Sequence, residues 1–173
     1  MALKTIQKLT ASGLLLYLCA LIWLAPNVIA QETTIEVYEV KDLQKLSQLM
    51  AEKKLPLLLA LSVEHCPYCQ QLESDFLRPM LLSGEYKDKI IIRKLSLELD
   101  TKIIDFEGES IDSKAFAKRY QAYMTPTIIF IDHNGKEVAE KIIGISTPQF
   151  FGAYIDIEVE KALEATRKQV VSD

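Results

Sequence analysis

The sequence predicts an α/β domain in which a mixed central β-sheet is covered by helices on both faces. Three observations carry that expectation. Leu55–Val63 is a nearly unbroken apolar run, which suits a strand buried on both faces. Apolar residues at helical spacing alternate with such runs along the chain, the pattern of strands joined by crossover helices. Near the end, Asp132-His133-Asn134-Gly135 is a tight turn of the Asn-Gly kind, so an antiparallel hairpin closes the sheet.

Of the 173 residues, the first 30 contain Lys4 and Lys8 but no acid. An apolar stretch, Leu14–Ala25, follows, and then Pro26 to Ala30 with small side chains at its exit. This is the layout of a secretory signal peptide, with Val28 and Ala30 placed for cleavage before Gln31. An uncleaved anchor is the competing expectation, because Ala11–Ala30 is near spanning length. Cys19 follows Leu18 rather than a small residue, which argues against a lipoprotein site. Either way the domain, residues 31–173, is expected in the periplasm. Beyond residue 30, 18 basic residues stand against 24 acidic ones, a net charge of −6 without a basic stripe, so no nucleic-acid partner is expected.

The elements follow in order. Thr34–Val40 alternates weakly and is expected as an edge strand. Lys41–Lys53 places Leu43, Leu46, Leu49 and Met50 on one helical face, with Asp42 suited to its first turn. After the Leu55–Val63 strand comes a helical pattern through Leu72, Phe76, Met80 and Leu81, which Pro79 should kink or divide. Ile90–Leu97 reads as a second central strand. Glu98–Ile111 is a less regular insertion, expected as a short hairpin before the later strand. Asp112 or Ser113 should cap a helix carrying Ala115, Phe116 and Tyr120. Thr127–Ile131 is a strand, and Lys136–Ile143 its antiparallel partner. Thr147-Pro148 opens a closing helix with Phe151, Tyr154, Ile155 and Leu163 inward.

The chemistry sits between the first central strand and its helix, in Cys66-Pro67-Tyr68-Cys69. An exported domain meets oxidising surroundings, yet a bridge over two intervening residues closes almost no loop and stabilises little. The pair is therefore expected to be redox-active. A cysteine at a helix N-terminus faces unpaired N–H groups and the positive end of the dipole, which favour thiolate. Cys66 is then the nucleophile that forms a mixed disulfide, and Cys69, nearly one turn on and more buried, resolves it. Pro67 fits the first helical turn because no N–H is needed there. His65 either adds positive potential beside Cys66 or is a solvated loop residue. Zinc would need more ligands than His65, His133 and two thiols supply, so no metal or other cofactor is expected. A copper carrier using the two thiolates remains an alternative, although no methionine cluster accompanies them. Thr125-Pro126 precedes the Thr127–Ile131 strand. It is either a strand-opening proline or a cis-proline packed on the disulfide, leaving the Thr125 backbone free for a substrate strand.

Taken together these residues resemble the thioredoxin superfamily. The Leu55–Val63 strand, the Cys66–Cys69 motif at a helix start, Thr125-Pro126 and the Asp132–Gly135 turn come in that family's order, within Leu43–Leu163. Asp105-Phe106-Glu107-Gly108, Phe116–Tyr120, Thr125-Pro126-Thr127 and Asn134–Val138 are similar to exported thioredoxin-like proteins associated with bacterial sulfur oxidation. The resemblance implies a thioredoxin fold and a thiol–disulfide oxidoreductase, with Cys66 attacking, Cys69 resolving and Pro126 in cis. His65, Pro67, Tyr68, Thr125 and Glu64 are implied as supporting residues. Cys-Pro-Tyr-Cys with a Thr before the proline is also similar to periplasmic isomerase and reductant proteins of the Dsb system, which a membrane donor keeps reduced. The implied substrates are disulfide-containing proteins or small molecules, the implied partner a membrane thiol reductant, and reduction the favoured direction over disulfide donation. Two departures stand out. Ala60 occupies the position where thioredoxins carry a buried Asp that helps deprotonate the second cysteine, leaving water or Glu64 as acceptor. No separate dimerisation domain is recognisable before the fold, which argues against a dedicated isomerase.

Overall fold

A computed structural model describes residues 35–172, with side chains described through residue 168. The signal-peptide or anchor expectation and Cys19 lie outside these residues. Among the described residues, no helix is long and apolar enough to cross a membrane.

The first helix, α1 (Leu43–Lys53), begins where Asp42 caps it: the backbone there is extended and the carboxylate accepts the Lys45 N–H at 2.7 Å. It ends at Lys54, which turns left-handed (φ 55°). Strand β1 (Leu57–Ser62) follows, then α2 (Pro67–Leu72), one π-helical turn (Glu73–Leu77) and α3 (Arg78–Ser83). Strand β2 (Ile91–Ser96) precedes a hairpin of β3 (Lys102–Ile104) and β4 (Ser110–Asp112). Next come α4 (Ser113–Arg119), β5 (Thr127–Ile131), β6 (Ile142–Ile143) and α5 (Pro148–Ser172).

The main sheet has the order β2-β1-β5-β6, with β1 parallel to β2 and antiparallel to β5, and β5 antiparallel to β6. The apolar run of β1 divides between two cores because successive side chains point to opposite faces. Leu57, Leu59 and Leu61 pack with Leu43, Met50 and Phe116 of α1 and α4. Leu58 and Ala60 pack on the other face with Leu72, Leu77 and Met80 and with Phe151 and Ile155 of α5. The expected mixed sheet with helices on both faces is what the chain forms. Each fully buried Leu or Phe there contributes roughly 1.5–3 kcal/mol.

The insertion is the expected hairpin, with Lys102 opposite Asp112 and Ile104 opposite Ser110. Asp112 is the residue that caps α4, accepting the N–H groups of Lys114 and Ala115 at 2.9 and 3.2 Å.

Four elements differ from expectation. In place of an edge strand over 34–40, residues 38–40 exchange backbone bonds with Lys94 alone, at 3.0 and 2.8 Å. The chain must then turn so that Asp42 can cap α1, and Lys41 instead accepts the Ile104 N–H of the hairpin at 2.9 Å. The return strand expected over 136–143 is reduced to Ile142–Ile143 and a bridge between Ile131 and Glu137. Between them the Glu140 N–H donates to the Glu158 carboxylate of α5 at 2.9 Å, so its donor leaves the ladder. Pro79 does not break the helical run; the backbone widens ahead of it into the π turn, where the Arg78 N–H reaches back to the Glu73 carbonyl. Tyr154 is 44% exposed rather than inward, while Phe151, Ile155 and Leu163 are buried.

Candidate active site

At the C-terminal end of β1 the chain makes a short turn into α2. His65 adopts a left-handed conformation (φ 56°), uncommon for a residue with a Cβ, which swings the backbone so that Cys66 meets the helix start. Cys66 is the N-cap of α2, with extended backbone (φ −101°, ψ 105°), and its Sγ accepts the Cys69 N–H at 3.1 Å. Pro67 occupies the first turn, where its missing N–H costs nothing. Cys66 and Cys69 are joined in a disulfide with Cα atoms 5.2 Å apart. The two sulfurs differ in access: Cys66 is part-exposed, whereas Cys69 is 8% exposed and faces inward. The helical run continues from Pro67 to Ser83, so its N-terminal N–H groups and dipole are directed at Cys66.

Thr125 and Pro126 reach the same place through the sheet. Strand β5 pairs antiparallel to β1 with Thr127 opposite Leu61, so the residues before β5 arrive beside the loop after β1. The Thr125–Pro126 peptide bond is cis, Pro126 is buried, and Thr125 Oγ1 lies 4.0 Å from Cys66 Sγ. Thr127 Oγ1 donates to the Met124 carbonyl at 2.7 Å, tying down the turn into the strand. Tyr68 of α2, between the two cysteines, is exposed, as are Tyr123 and Met124 just before Thr125. His65 and Glu64 are exposed on the loop. The Glu64 side chain makes no hydrogen bond among those described, but its backbone N–H donates to the Glu98 carboxylate at the end of β2. All eight residues singled out from sequence therefore gather around one disulfide, six in a contiguous segment and two delivered from 59 residues downstream by strand pairing.

Three further residues complete the site and were not singled out from sequence. Behind the disulfide lies an open pocket of about 530 Å³, lined among others by Ala60, Glu64, Cys69, Glu73, Lys94 and Glu98. Ala60 faces it from β1 and leaves it wide. Its parallel register partner on β2 is Lys94, whose Nζ sits 2.9 Å from Glu73 Oε2. Glu73 stands four residues after Cys69 on the same helical face, its backbone N–H bonded to the Cys69 carbonyl. Arg78 holds the other carboxylate oxygen at 3.0 Å. In an α-helix, residues five apart point about 140° away from each other, and the π turn is what brings this pair together. Burial alone would raise the Glu73 carboxyl, but the hydrogen bonds and charges of Lys94 and Arg78 outweigh it and hold it below the ordinary glutamate value. The spacing of Glu73 from Cys69 was readable in the sequence. The approach of Lys94 depends on strand register and was not.

Comparison with known proteins places this geometry. The thioredoxin-like domain profile matches residues 43–157. The chain belongs to the thioredoxin-like family. No curated protein matches it. Among solved structures, this thioredoxin-like chain is similar to thioredoxin f from spinach chloroplast, at 20% identity over 76% of this chain and 94% of that one, with a TM-score of 0.47. A Malassezia sympodialis thioredoxin shares 16% identity over 75% of this chain and 98% of its own, with a TM-score of 0.48. The oxidised mitochondrial thioredoxin 3 of Saccharomyces cerevisiae shares 18% over 69% and 94%, at 0.45. At these identities the likeness concerns the fold alone. A thioredoxin-like domain whose Cys-x-x-Cys pair closes into a disulfide at a helix start points to thiol–disulfide oxidoreductase chemistry.

Proposed function

We propose that this thioredoxin-like protein is an exported reductant of disulfides in proteins or small molecules. The carrying observation is the asymmetry of the pair: Cys66 is accessible at the helix N-terminus and Cys69 is enclosed behind it. In the reduced form the Cys66 thiolate attacks a substrate disulfide, forming one new S–S bond and releasing one substrate thiolate. Cys69 loses its proton and attacks Cys66 Sγ, which releases the second substrate thiolate and leaves the Cys66–Cys69 disulfide. Two electrons pass from the dithiol to the substrate, and the two leaving thiolates take up protons. Thr125 and Pro126 line the place where an extended substrate chain would pair, and Tyr68 offers it an apolar flank. His65 and Glu64 lie at the rim of the loop that carries Cys66.

The basic, then apolar, then small-residue layout of residues 1–30 supports export, and a membrane thiol donor would regenerate the dithiol. Likeness of the motif residues to the sulfur-oxidation-associated and Dsb reductant proteins supports the reducing direction. The test is a pair of variants. Cys66→Ser abolishes reduction of a model protein disulfide, while Cys69→Ser accumulates mixed disulfides that a thiol reductant releases. Absence of any adduct in Cys69→Ser would refute the mechanism. Equilibration of the pair with glutathione tests the direction, since about 30 mV corresponds to roughly 1.4 kcal/mol for this couple. A strongly oxidising potential would assign disulfide donation instead.

A further inference from the structure

Cys69 must become a thiolate before it can resolve a mixed disulfide, and the β1 position behind it is Ala60, which carries no acid. Its pocket is lined by four carboxylates, of Glu39 before α1, Glu64 on the loop, Glu73 on the helix and Glu98 after β2. Four negative charges would oppose formation of a fifth. Lys94 is the one ammonium lining this pocket among the described residues, and His65 is the other group there that can carry positive charge. Lys94 projects from β2 at the register position of Ala60, on the face that carries α2. Glu73 anchors it at 2.9 Å, and Arg78, outside the pocket lining, occupies the remaining oxygen of Glu73 at 3.0 Å.

Building on the reductant reading above, we propose that Lys94 is a positioning residue whose charge stabilises the Cys69 thiolate across the pocket, with Glu73 holding the ammonium in place and tempering its field. The proton leaves to solvent through the open pocket, and no carboxylate accepts it. Glu73 is poorly suited as a base, because its two cationic partners already favour its charged form.

The two charges of the pair then act on Cys69 with opposite signs. Removing Lys94 withdraws a positive charge and raises the pH at which Cys69 becomes reactive. Removing the charge of Glu73 withdraws a negative one and lowers it. A residue that merely supports the fold would impair both variants in the same way.

The experiment uses the reduced protein with dithiobis(nitrobenzoate) as substrate. Attack by Cys66 releases the first coloured thiolate; attack by Cys69 on the resulting mixed disulfide releases the second. Stopped-flow traces across pH separate the two steps, and thermal melts show that each variant is folded. For Lys94→Gln the midpoint of the second step moves up and for Glu73→Gln it moves down, each by up to about one pH unit, the size of shift that a single charge causes over roughly 10 Å at an effective dielectric near 20. If Glu73→Gln instead slows the second step and moves its midpoint up, the carboxylate is the base and the proposal is overturned. Unchanged midpoints in both folded variants overturn it as well. Loss of the first release in the unsubstituted protein would refute the nucleophile assignment itself, an outcome separate from the behaviour of the second step.

Discussion

Asp105, in the turn of the β3–β4 hairpin, is 1% exposed, and its replacement has a cost that can be worked out bond by bond. Its Oδ1 accepts the backbone N–H groups of Glu107 at 3.1 Å and Glu109 at 2.8 Å, and Oδ2 receives Arg119 of α4 at 2.9 Å. Arg119 is half exposed, so its ion pair is screened and contributes under about 1 kcal/mol. The two N–H bonds matter more, because a donor left unpaired inside the turn costs about 1–3 kcal/mol. Asp105→Asn keeps an oxygen for both N–H groups but loses the charge and, because an amide nitrogen cannot accept, the Arg119 bond, so it should cost about 1 kcal/mol. Asp105→Ala abandons all three donors and should cost about 3 kcal/mol. In urea, with a slope of about 2 kcal/mol per molar, the midpoints fall by about 0.5 M and about 1.5 M. The assay is urea unfolding followed by circular dichroism, since the single tryptophan, Trp23, lies in the N-terminal segment. Burial alone would raise the Asp105 carboxyl, but the N–H bonds and Arg119 hold it below the ordinary aspartate value. A depressed folded pKa gives stability that is complete above the unfolded value, near 3.9, and is lost as pH falls through the folded one. The gap between the native protein and Asp105→Ala should therefore be constant from neutral pH to about 5 and narrow only below about 4. If Asp105→Ala costs no more than Asp105→Asn, the backbone donors do not hold this turn and the bond-by-bond account fails.

Other substitutions test neighbouring links. Gly135 has φ +77°, and a Cβ there would lie 2.8 Å from the Phe106 ring, a side chain packed against the core. Gly135→Ala should therefore cost over about 1 kcal/mol in chemical unfolding, from the left-handed backbone alone. Gly108→Ala carries similar strain at φ +88° but meets only the movable end of Gln44, so it should cost less; equal losses would discount the ring contact. Tyr120→Phe removes the hydroxyl that donates to the Gly135 carbonyl at 2.7 Å and should cost about 1 kcal/mol, read as a lowered urea midpoint. In the redox assay, Cys66→Ser should be inactive while Cys69→Ser retains adduct formation; turnover by Cys66→Ser would exclude Cys66 as the nucleophile.

Much of the site was legible in the chain because its chemistry is local. The two cysteines, the proline suited to a first helical turn and the preceding apolar strand are neighbours, so spacing alone placed Cys66 at a helix start and Cys69 behind it. Asp112 was legible as a cap, with Ser113 as the alternative, because a cap is settled within four residues; Asp42, expected in the first turn of its helix, is instead the N-cap just ahead of it. Two of the elements that went differently depend on partners far along the chain. Residues 34–40 alternate weakly and 136–143 follow a hairpin turn, but the former pair with Lys94 alone and the Glu140 N–H of the latter is taken by Glu158 of α5. Tyr154 has the spacing of a buried residue, yet is 44% exposed on α5.

The sequence by itself determined the mixed α/β sheet and the redox motif, because apolar periodicity and a two-residue cysteine spacing are properties of short segments. Tertiary structure alone decided what stands behind Cys69. Pairing of β1 with β2 set Lys94 beside Ala60, the π turn carried Arg78 to Glu73, and pairing of β1 with β5 delivered Thr125 to the sulfur of Cys66. Strand register acts between residues tens of positions apart, and the widened pitch that joins Arg78 to Glu73 leaves no mark in the apolar spacing, so local pattern holds no record of either.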